Sequence, residues 1–334
     1  MSTTILGIES SCDETSASIC RDGKVINNIV ATQSVHEDYG GVVPELASRE
    51  HQKNIVPVVQ KAIDDAGISI QEIDGIAVTQ GPGLLGALLV GYSFAKSLAC
   101  SLDIPLINVH HMHAHIFAHF IEEPTPQFPF LCLTVSGGHS QIVKITDYSS
   151  LTVLGATIDD AVGEAFDKGA KLLGLPYPGG PHVDKLAKSG DPYKFKFSES
   201  NLSDYNYSFS GIKTSLLYFL KKELKDNPDF ITENLEDLCA SYQYSLLNML
   251  LKKLELAAKD NNIHEIAIAG GVAANQGLRN RLQEMSEKEN WTLHFPGFEY
   301  CTDNAGMIAM TGYIKYKEGK FGSYRDAPKP RMQF

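Results

Sequence analysis

A strand, a tight polar turn and a returning strand occur twice in this chain, at equivalent points of two halves, and that repetition narrows the available folds more than any other feature. Residues 4–9 (TILGIE) form an apolar run that stops at SSCDET and resumes as ASIC. Residues 130–135 (FLCLTV) repeat the form, stopping at Ser136-Gly137-Gly138-His139 and resuming as QIVKI. Short β-branched runs broken by Gly, Ser and Asp read as hairpins. Later in each half a second strand ends in glycine and opens a helix: GIAVTQGPGLLGALLVGYSFAKSLA in the first, EIAIAGGVAANQGLRNRL in the second. Between the hairpin and that strand, Leu46, Ile55, Val58, Val59, Ala62 and Ile63 predict a helix over 45–66, with Gly67 as its stop.

A length of 334 residues allows two lobes of ordinary domain size. The proline-rich PTPQFPF (124–130) is the candidate hinge. Two α/β lobes, each opened by a hairpin with a polar turn, follow the plan of the actin-like ATPase (ASKHA) superfold, two lobes with a cleft between them. The expected lobes are 1–123 and 124–334, with the last helix free to pack back on the first. The competing arrangement is two tandem doubly wound domains with no shared cleft.

Composition sets the chain's surroundings. The content of 43% hydrophobic and 21% charged residues suits a packed globular protein. No apolar run approaches the roughly 20 residues that span a bilayer, and MSTTILGIESSCDE meets acids too early for a secretory signal. The six cysteines are scattered without a C-x-x-C pair, which suits reduced thiols. The expectation is a soluble, cytoplasmic protein with no membrane partner. Lys and Arg are outnumbered 29 to 40, giving a net charge of −11. Phosphate contacts dominate nucleic-acid affinity, so an RNA substrate would need a local basic patch or a second subunit. Arg325, Lys329 and Arg331 of the C-terminal RDAPKPRMQF are locally basic, and the simplest reading is a solvated tail.

Three constellations can carry chemistry. In His110-His111-Met112-His113-Ala114-His115, positions i and i+4 share a helix face, so His111 and His115 can hold one metal ion, as could His115 and His119. A carboxylate would complete such a site, and Asp303 of Cys301-Thr302-Asp303-Asn304 is available, although locally it reads as a helix N-cap. The glycine-rich turns Ser136-Gly137-Gly138-His139 and Gly270-Gly271-Val272-Ala273-Ala274-Asn275 can offer backbone N–H groups to an anion, with Asn275 reaching ribose or phosphate. The third is Asp159 to Lys168, where Asp160, Glu164 and Asp167 or Lys168 share a side that reads as a solvated acidic face, with Asp159 as that helix's own cap. A rigid Gly174-to-Pro181 turn and Asp184 follow it. The H-E-x-x-H, P-loop and G-x-S-x-G signatures are absent.

Taken together, ILGIESSCDETSASI, GGVVPELASREH, TQGPGLLGALLVG, HHMHAH, TVSGGHSQIV, IDDAVGEAFDKGAKLLGLPYPGGP, SFSGIKT, GGVAANQGLR and CTDNAGMIA resemble the TsaD (formerly Gcp) family, the tRNA N(6)-adenosine threonylcarbamoyltransferases. The resemblance runs from about residue 4 to residue 315. It implies an actin-like fold and one divalent metal per subunit, iron (Fe2+) favoured and zinc the alternative. It implies transfer of threonylcarbamoyl from threonylcarbamoyl-AMP to the adenosine 3′ to the anticodon in tRNAs reading ANN codons. Carried over by motif, the metal ligands are His111, His115 and Asp303, which reverses the local reading of Asp303. The substrate loop is Thr134, Val135, Ser136, Gly137 and Gly138, and Asp167, Gly180, Asp184 and Asn275 hold the adenylate. His113 stays outside the ligand set, as a spare ligand or a group behind the ligands. TsaB and TsaE homologues are the implied partners. No general base for the amine is identified, with His139 the nearest candidate. The alternatives are a metal-dependent glycoprotein endopeptidase and a non-transferring nucleotide-binding regulator.

Overall fold

The computed structural model describes residues 2–200 and 202–334. The chain divides into two compact units, one formed by residues up to 125 together with 296–334, the other by 126–295. The passage into the second unit falls inside PTPQFPF. The sequence reading ran the second lobe to 334 but left the last helix free to pack back on the first; residues 296–334 group with the first unit.

The first unit opens with β1 (Thr4–Glu9), β2 (Glu14–Arg21), β3 (Lys24–Val25), β4 (Ile29–Thr32), α1 (Pro44–Asp65), β5 (Gly75–Gly81), α2 (Leu85–Leu102), β6 (Leu106–His110) and α3 (His111–Phe117). Its sheet runs β3-β2-β1-β5-β6, with β4 also paired to β2. The second unit contains β7 (Phe130–Val135), β8 (Ser140–Asp147), β9 (Ser150–Ala156), α4 (Val162–Leu172), α5 (Gly179–Ala187), α6 (Ser210–Asp226), α7 (Phe230–Glu233), α8 (Leu235–Asn261), β10 (Glu265–Ala269), α9 (Gln276–Glu289) and β11 (Thr292–His294). Its sheet runs β11-β10-β7-β8-β9. In each unit the hairpin strands pair antiparallel, β1 with β2 and β7 with β8. Each hairpin's first strand also pairs in parallel with the later strand, β5 or β10. The repetition seen in the sequence is thus a repetition of topology.

β1 and β5 are buried at every position, as expected of strands covered on both faces. Alternate side chains point to opposite faces. Leu6, Ile8, Ile76 and Val78 join Ile55 and Val59 of α1 and Tyr92 of α2 in one cluster. Ile5 and Ala77 join Ala114 of α3 and Met307 and Ile308 of α10 (Ala305–Lys317) in another. Gly7 permits the close approach of α10, since a Cβ there would lie 2.5 Å from the backbone nitrogen of Ala309. By length and composition α2 could cross a membrane, at 18 residues. Its face of Ala87, Leu88, Tyr92, Ala95 and Ala99 is instead buried against the sheet and α1.

The C-terminal tail keeps Arg325, Lys329 and Arg331 exposed, as a solvated tail would, but its backbone is docked. The Lys329 N–H donates to the Gln80 carbonyl at 2.7 Å, and the Gly83 N–H donates to the Pro330 carbonyl at 3.2 Å. The Gln80 side-chain amide donates to the Ala327 carbonyl at 3.0 Å. A Cβ on Gly81 would stand 1.9 Å from the Lys329 carbonyl oxygen, so the glycine makes room for this strap. Backbone pairing of this kind leaves no periodic side-chain signature, which is why composition suggested a free tail.

Candidate functional site

The first unit brings the His–His–Asp set together. β6 ends at His110, whose Nδ1 accepts the Met112 N–H at 3.2 Å and so caps α3. That start places His111 and His115 one turn apart on a common face. Asp303 arrives on the loop before α10. The N-cap role that Asp303 could have taken belongs to its neighbour: Asn304 Oδ1 accepts the Met307 N–H at 3.0 Å. Asp303 Oδ1 instead lies 3.3 Å from His111 Nε2 and 3.1 Å from His115 Nε2. One ligand atom from each of the three residues lies within 4.8 Å of the other two.

Sequence reasoning missed Glu9. This carboxylate closes β1, is fully buried, and accepts the Thr79 hydroxyl at 2.6 Å and the Ser11 N–H. Its Oε2 also lies 3.0 Å from His111 Nδ1. Burial alone would push the Glu9 carboxyl up, but His111 outweighs it and holds it low. Burial alone would depress the His111 imidazole, yet Asp303 and Glu9 raise it well above its ordinary value. The Asp303 carboxyl, which burial would raise, is held far down by His111 and His115. The only sequence hint was an acid ending an otherwise apolar strand.

The donor set fits a metal ion. Without an ion, a protonated His111 can donate from Nδ1 to Glu9 and from Nε2 to Asp303. A cation can replace the Nε2 proton, while Glu9 keeps the proton on Nδ1 and leaves the Nε2 lone pair for the ion. An ion with bonds of about 2.1 Å keeps its ligand atoms roughly 3.0–3.4 Å apart, close to the spacing of these contacts. The surroundings are also over-supplied with negative charge. Burial, Asp303 and Asp13 push the Glu14 carboxyl up to about 10. His113 and His119 lie outside the group of three. The His113 ring stacks on His110 at 4.3 Å and tilts against Phe334 at 4.6 Å. Its Nε2 is buried with no hydrogen-bond partner among the described residues, and burial lowers its pKa to about 4. It packs as a neutral ring.

The second unit carries a cavity of 330 Å³, lined in part by Gly137, Asp167, Gly180, Asp184 and Asn275. Such a volume suits a small organic ligand. The other sequence-predicted residues stand off it. Thr134 and Val135 are buried in β7, and Ser136 closes the hairpin turn by donating its N–H to His139 at 2.8 Å. Gly137 and Gly138 form the exposed tip. Asp167 accepts the N–H groups of Gly179 and Gly180 at the start of α5, at 2.8 and 3.3 Å. Burial nevertheless raises its pKa. Asp184 accepts the N–H groups of Gln276 and Gly277 at the start of α9. Asn275 caps α9 through Oδ1 and donates Nδ2–H to Gln243 at 2.8 Å. Each of these polar groups therefore holds a helix end against the cavity wall. Lys185 and Lys188, which the sequence reading passed over, also line it.

The remaining acidic residues sort differently. Lys168 bridges Asp160 and Glu164 at 2.8 and 2.7 Å, as the shared side suggested. Asp159 does not cap α4, whose N-cap is Ala161. It accepts the Phe209 and Ser210 N–H groups at the start of α6, at 2.8 and 3.3 Å.

Comparison with known proteins supplies the context. The TsaD family profile, described as tRNA N6-adenosine threonylcarbamoyltransferase, matches residues 24–310. A protein of that name from Cytophaga hutchinsonii is 55% identical over 333 residues, covering 100% of this chain and 97% of the relative. Another, from Riemerella anatipestifer, is 57% identical, covering 98% and 97%. Among solved structures, HypF of T. kodakarensis aligns with a TM-score of 0.62 at 15% identity, over 95% of this chain and 48% of that one. Component A of (R)-2-hydroxyglutaryl-CoA dehydratase from Acidaminococcus fermentans aligns with a TM-score of 0.53 at 14% identity, over 95% and 99%. At such identities the likeness speaks of fold alone, and the fold is of the actin-like ATPase type.

Proposed function

Since the chain belongs to the TsaD family of tRNA N6-adenosine threonylcarbamoyltransferases, we propose that it transfers a threonylcarbamoyl group from threonylcarbamoyl-AMP to N6 of the adenosine 3′ to the anticodon in tRNAs reading ANN codons, releasing AMP. The observation that carries this reading is identity near 55% along essentially the whole chain. TsaB and TsaE homologues act with it in the cytoplasm. The excess of acidic over basic residues agrees with a tRNA held partly by other subunits.

His111, His115 and Asp303 hold one divalent ion, iron(II) in preference to zinc. When bound, the ion supplies Lewis acidity and a fixed positive charge. Glu9 keeps the proton of His111 on Nδ1, leaving Nε2 for the ion. In the second unit, the cavity receives the adenylate. Lys185 and Lys188 supply positive charge for its phosphate. Asp167 and Asp184 fix the N-terminal ends of α5 and α9 by accepting their first N–H groups, which shapes the cavity wall. Gly137 and Gly138 present N–H groups suited to a carbonyl oxygen that gains negative charge as the amine attacks. The amine proton leaves to an acceptor that these residues do not identify.

Two measurements test this. Labelled threonylcarbamoyl supplied as its adenylate should enter unmodified tRNA when the chain and both partner homologues are present, and absence of incorporation from a competent adenylate would overturn the transferase reading. His111→Ala should lose the ion by elemental analysis while keeping its fold, and full occupancy in that variant would refute the ligand set.

A further inference from the structure

α3 has seven residues, too few to hold a helix by its own propensity. Its geometry must be imposed from outside. One support is the strap of residues 326–334. The strap is anchored upstream, where Asn108 Nδ2 donates to Asp326 Oδ2 at 2.6 Å and Lys96 Nζ donates to the Asp326 carbonyl at 2.5 Å. Asn108 is in turn held by the Tyr92 hydroxyl at 2.8 Å. The strap then pairs with Gln80 and Gly83 at the end of β5 and reaches α3. There the Gln333 carbonyl lies 3.1 Å from His110 Nε2, and the Phe334 ring packs at 5.6 Å from His110 and 4.6 Å from His113.

We propose that His110 is a positioning residue for the metal site, carrying the strap's hold into the helix that bears His111 and His115. The imidazole can do both tasks in one tautomer only. Nδ1 accepts the Met112 N–H, so the proton sits on Nε2 and is donated to the Gln333 carbonyl. A single ring thereby caps α3 and ties it to the strap, and the stacked His113 ring with Phe334 stops it swinging. Metal affinity depends on groups that orient the ligands, with losses of about 10–100-fold when such groups are removed.

The inference rests on the His–His–Asp metal reading, and the experiment separates the two. Zn2+ affinity is measured by chelator competition on the full chain, beside thermal unfolding of the metal-free protein. His110→Asn keeps an oxygen that can cap α3 but cannot reach Gln333. It should weaken Zn2+ binding about tenfold. Deleting Gln333 and Phe334 should give a similar loss, and combining the two changes should add little beyond either. Gly81→Ala, which pushes the strap off where β5 pairs beside His110, should move affinity in the same direction. The metal-free unfolding temperature of His110→Asn should stay near that of the parent chain. Unchanged Zn2+ affinity in His110→Asn would overturn the proposal, as would full rescue of a His110→Ala loss by His110→Asn, which would reduce the residue to a helix cap. If instead the parent chain binds no Zn2+, or His111→Ala binds it equally well, the metal reading itself fails.

Discussion

Glu9 places a charge at the end of a strand that is otherwise apolar, and three donors converge on it from β5, from the hairpin turn and from α3. Glu9→Gln keeps an oxygen to accept the His111 proton but removes the negative charge, and should weaken metal binding about tenfold by chelator competition. Glu9→Leu should cost up to about a hundredfold and also destabilise the fold, because the Thr79 hydroxyl and Ser11 N–H are left buried and unpaired at roughly 1–3 kcal/mol each. Equal metal affinity in all three proteins would show that Glu9 does not orient His111. The histidine pair was legible in the sequence because helical spacing is local. Asp303 was ambiguous locally, since only the structure shows Asn304 taking the cap. Glu9 was illegible because its partner His111 lies 102 residues away, and one strand-end acid looks like any other.

Helix ends decide much of the second unit. Asp159 ties the start of α6 through two backbone N–H groups and the hydroxyls of Ser208 and Ser210. Asp159→Ala should cost about 1–2 kcal/mol in denaturant unfolding. The effect depends on pH with a definite sign. Burial would raise this carboxyl, but the two serines and the backbone donors outweigh it and hold it below the ordinary carboxylate value. A depressed native-state value gives stability that is complete above the unfolded-state pKa of about 4 and is lost as pH falls through the native one. The gap between the parent chain and Asp159→Ala should therefore shrink on acidification, and a gap constant down to pH 2 would contradict the assignment. The hairpins, the helix-opening strands and α1 were legible because periodicity reports them directly. The capping exchange between Asp159 and α6 was not, since an acid ahead of a helix is most simply assigned to that helix. The strap was invisible for a related reason: its bonds run through backbone atoms that every sequence possesses.

At the scale of the whole chain, two repeated halves were readable because each shows the same succession of hairpin, helix and helix-opening strand in its apolar runs. The return of the last helix to the first unit was readable only as an option, because α10 has the same apolar character whichever sheet it covers. Residues 126–295 form a contiguous unit with their own five-stranded sheet. Expressed alone, that segment should give a cooperative thermal transition. A chain ending at 295 should be poorly soluble, since it loses Tyr300, Met307 and Ile308 from the cluster that covers Ile5 and Ala77. A soluble, cooperatively unfolding product of that truncation would show that α10 is dispensable to the first sheet. The same interrupted layout has a consequence for biosynthesis. His115 and Asp303 are separated by 188 residues, so at about 5–20 residues per second the carboxylate leaves the ribosome roughly 10–40 s after the imidazoles. If the proposed ligand set is right, the nascent polypeptide displays a two-histidine claw for that interval, and secure capture waits until Asp303 has emerged. On that reading, the choice of cation is settled by the free metal pools that the folded site meets.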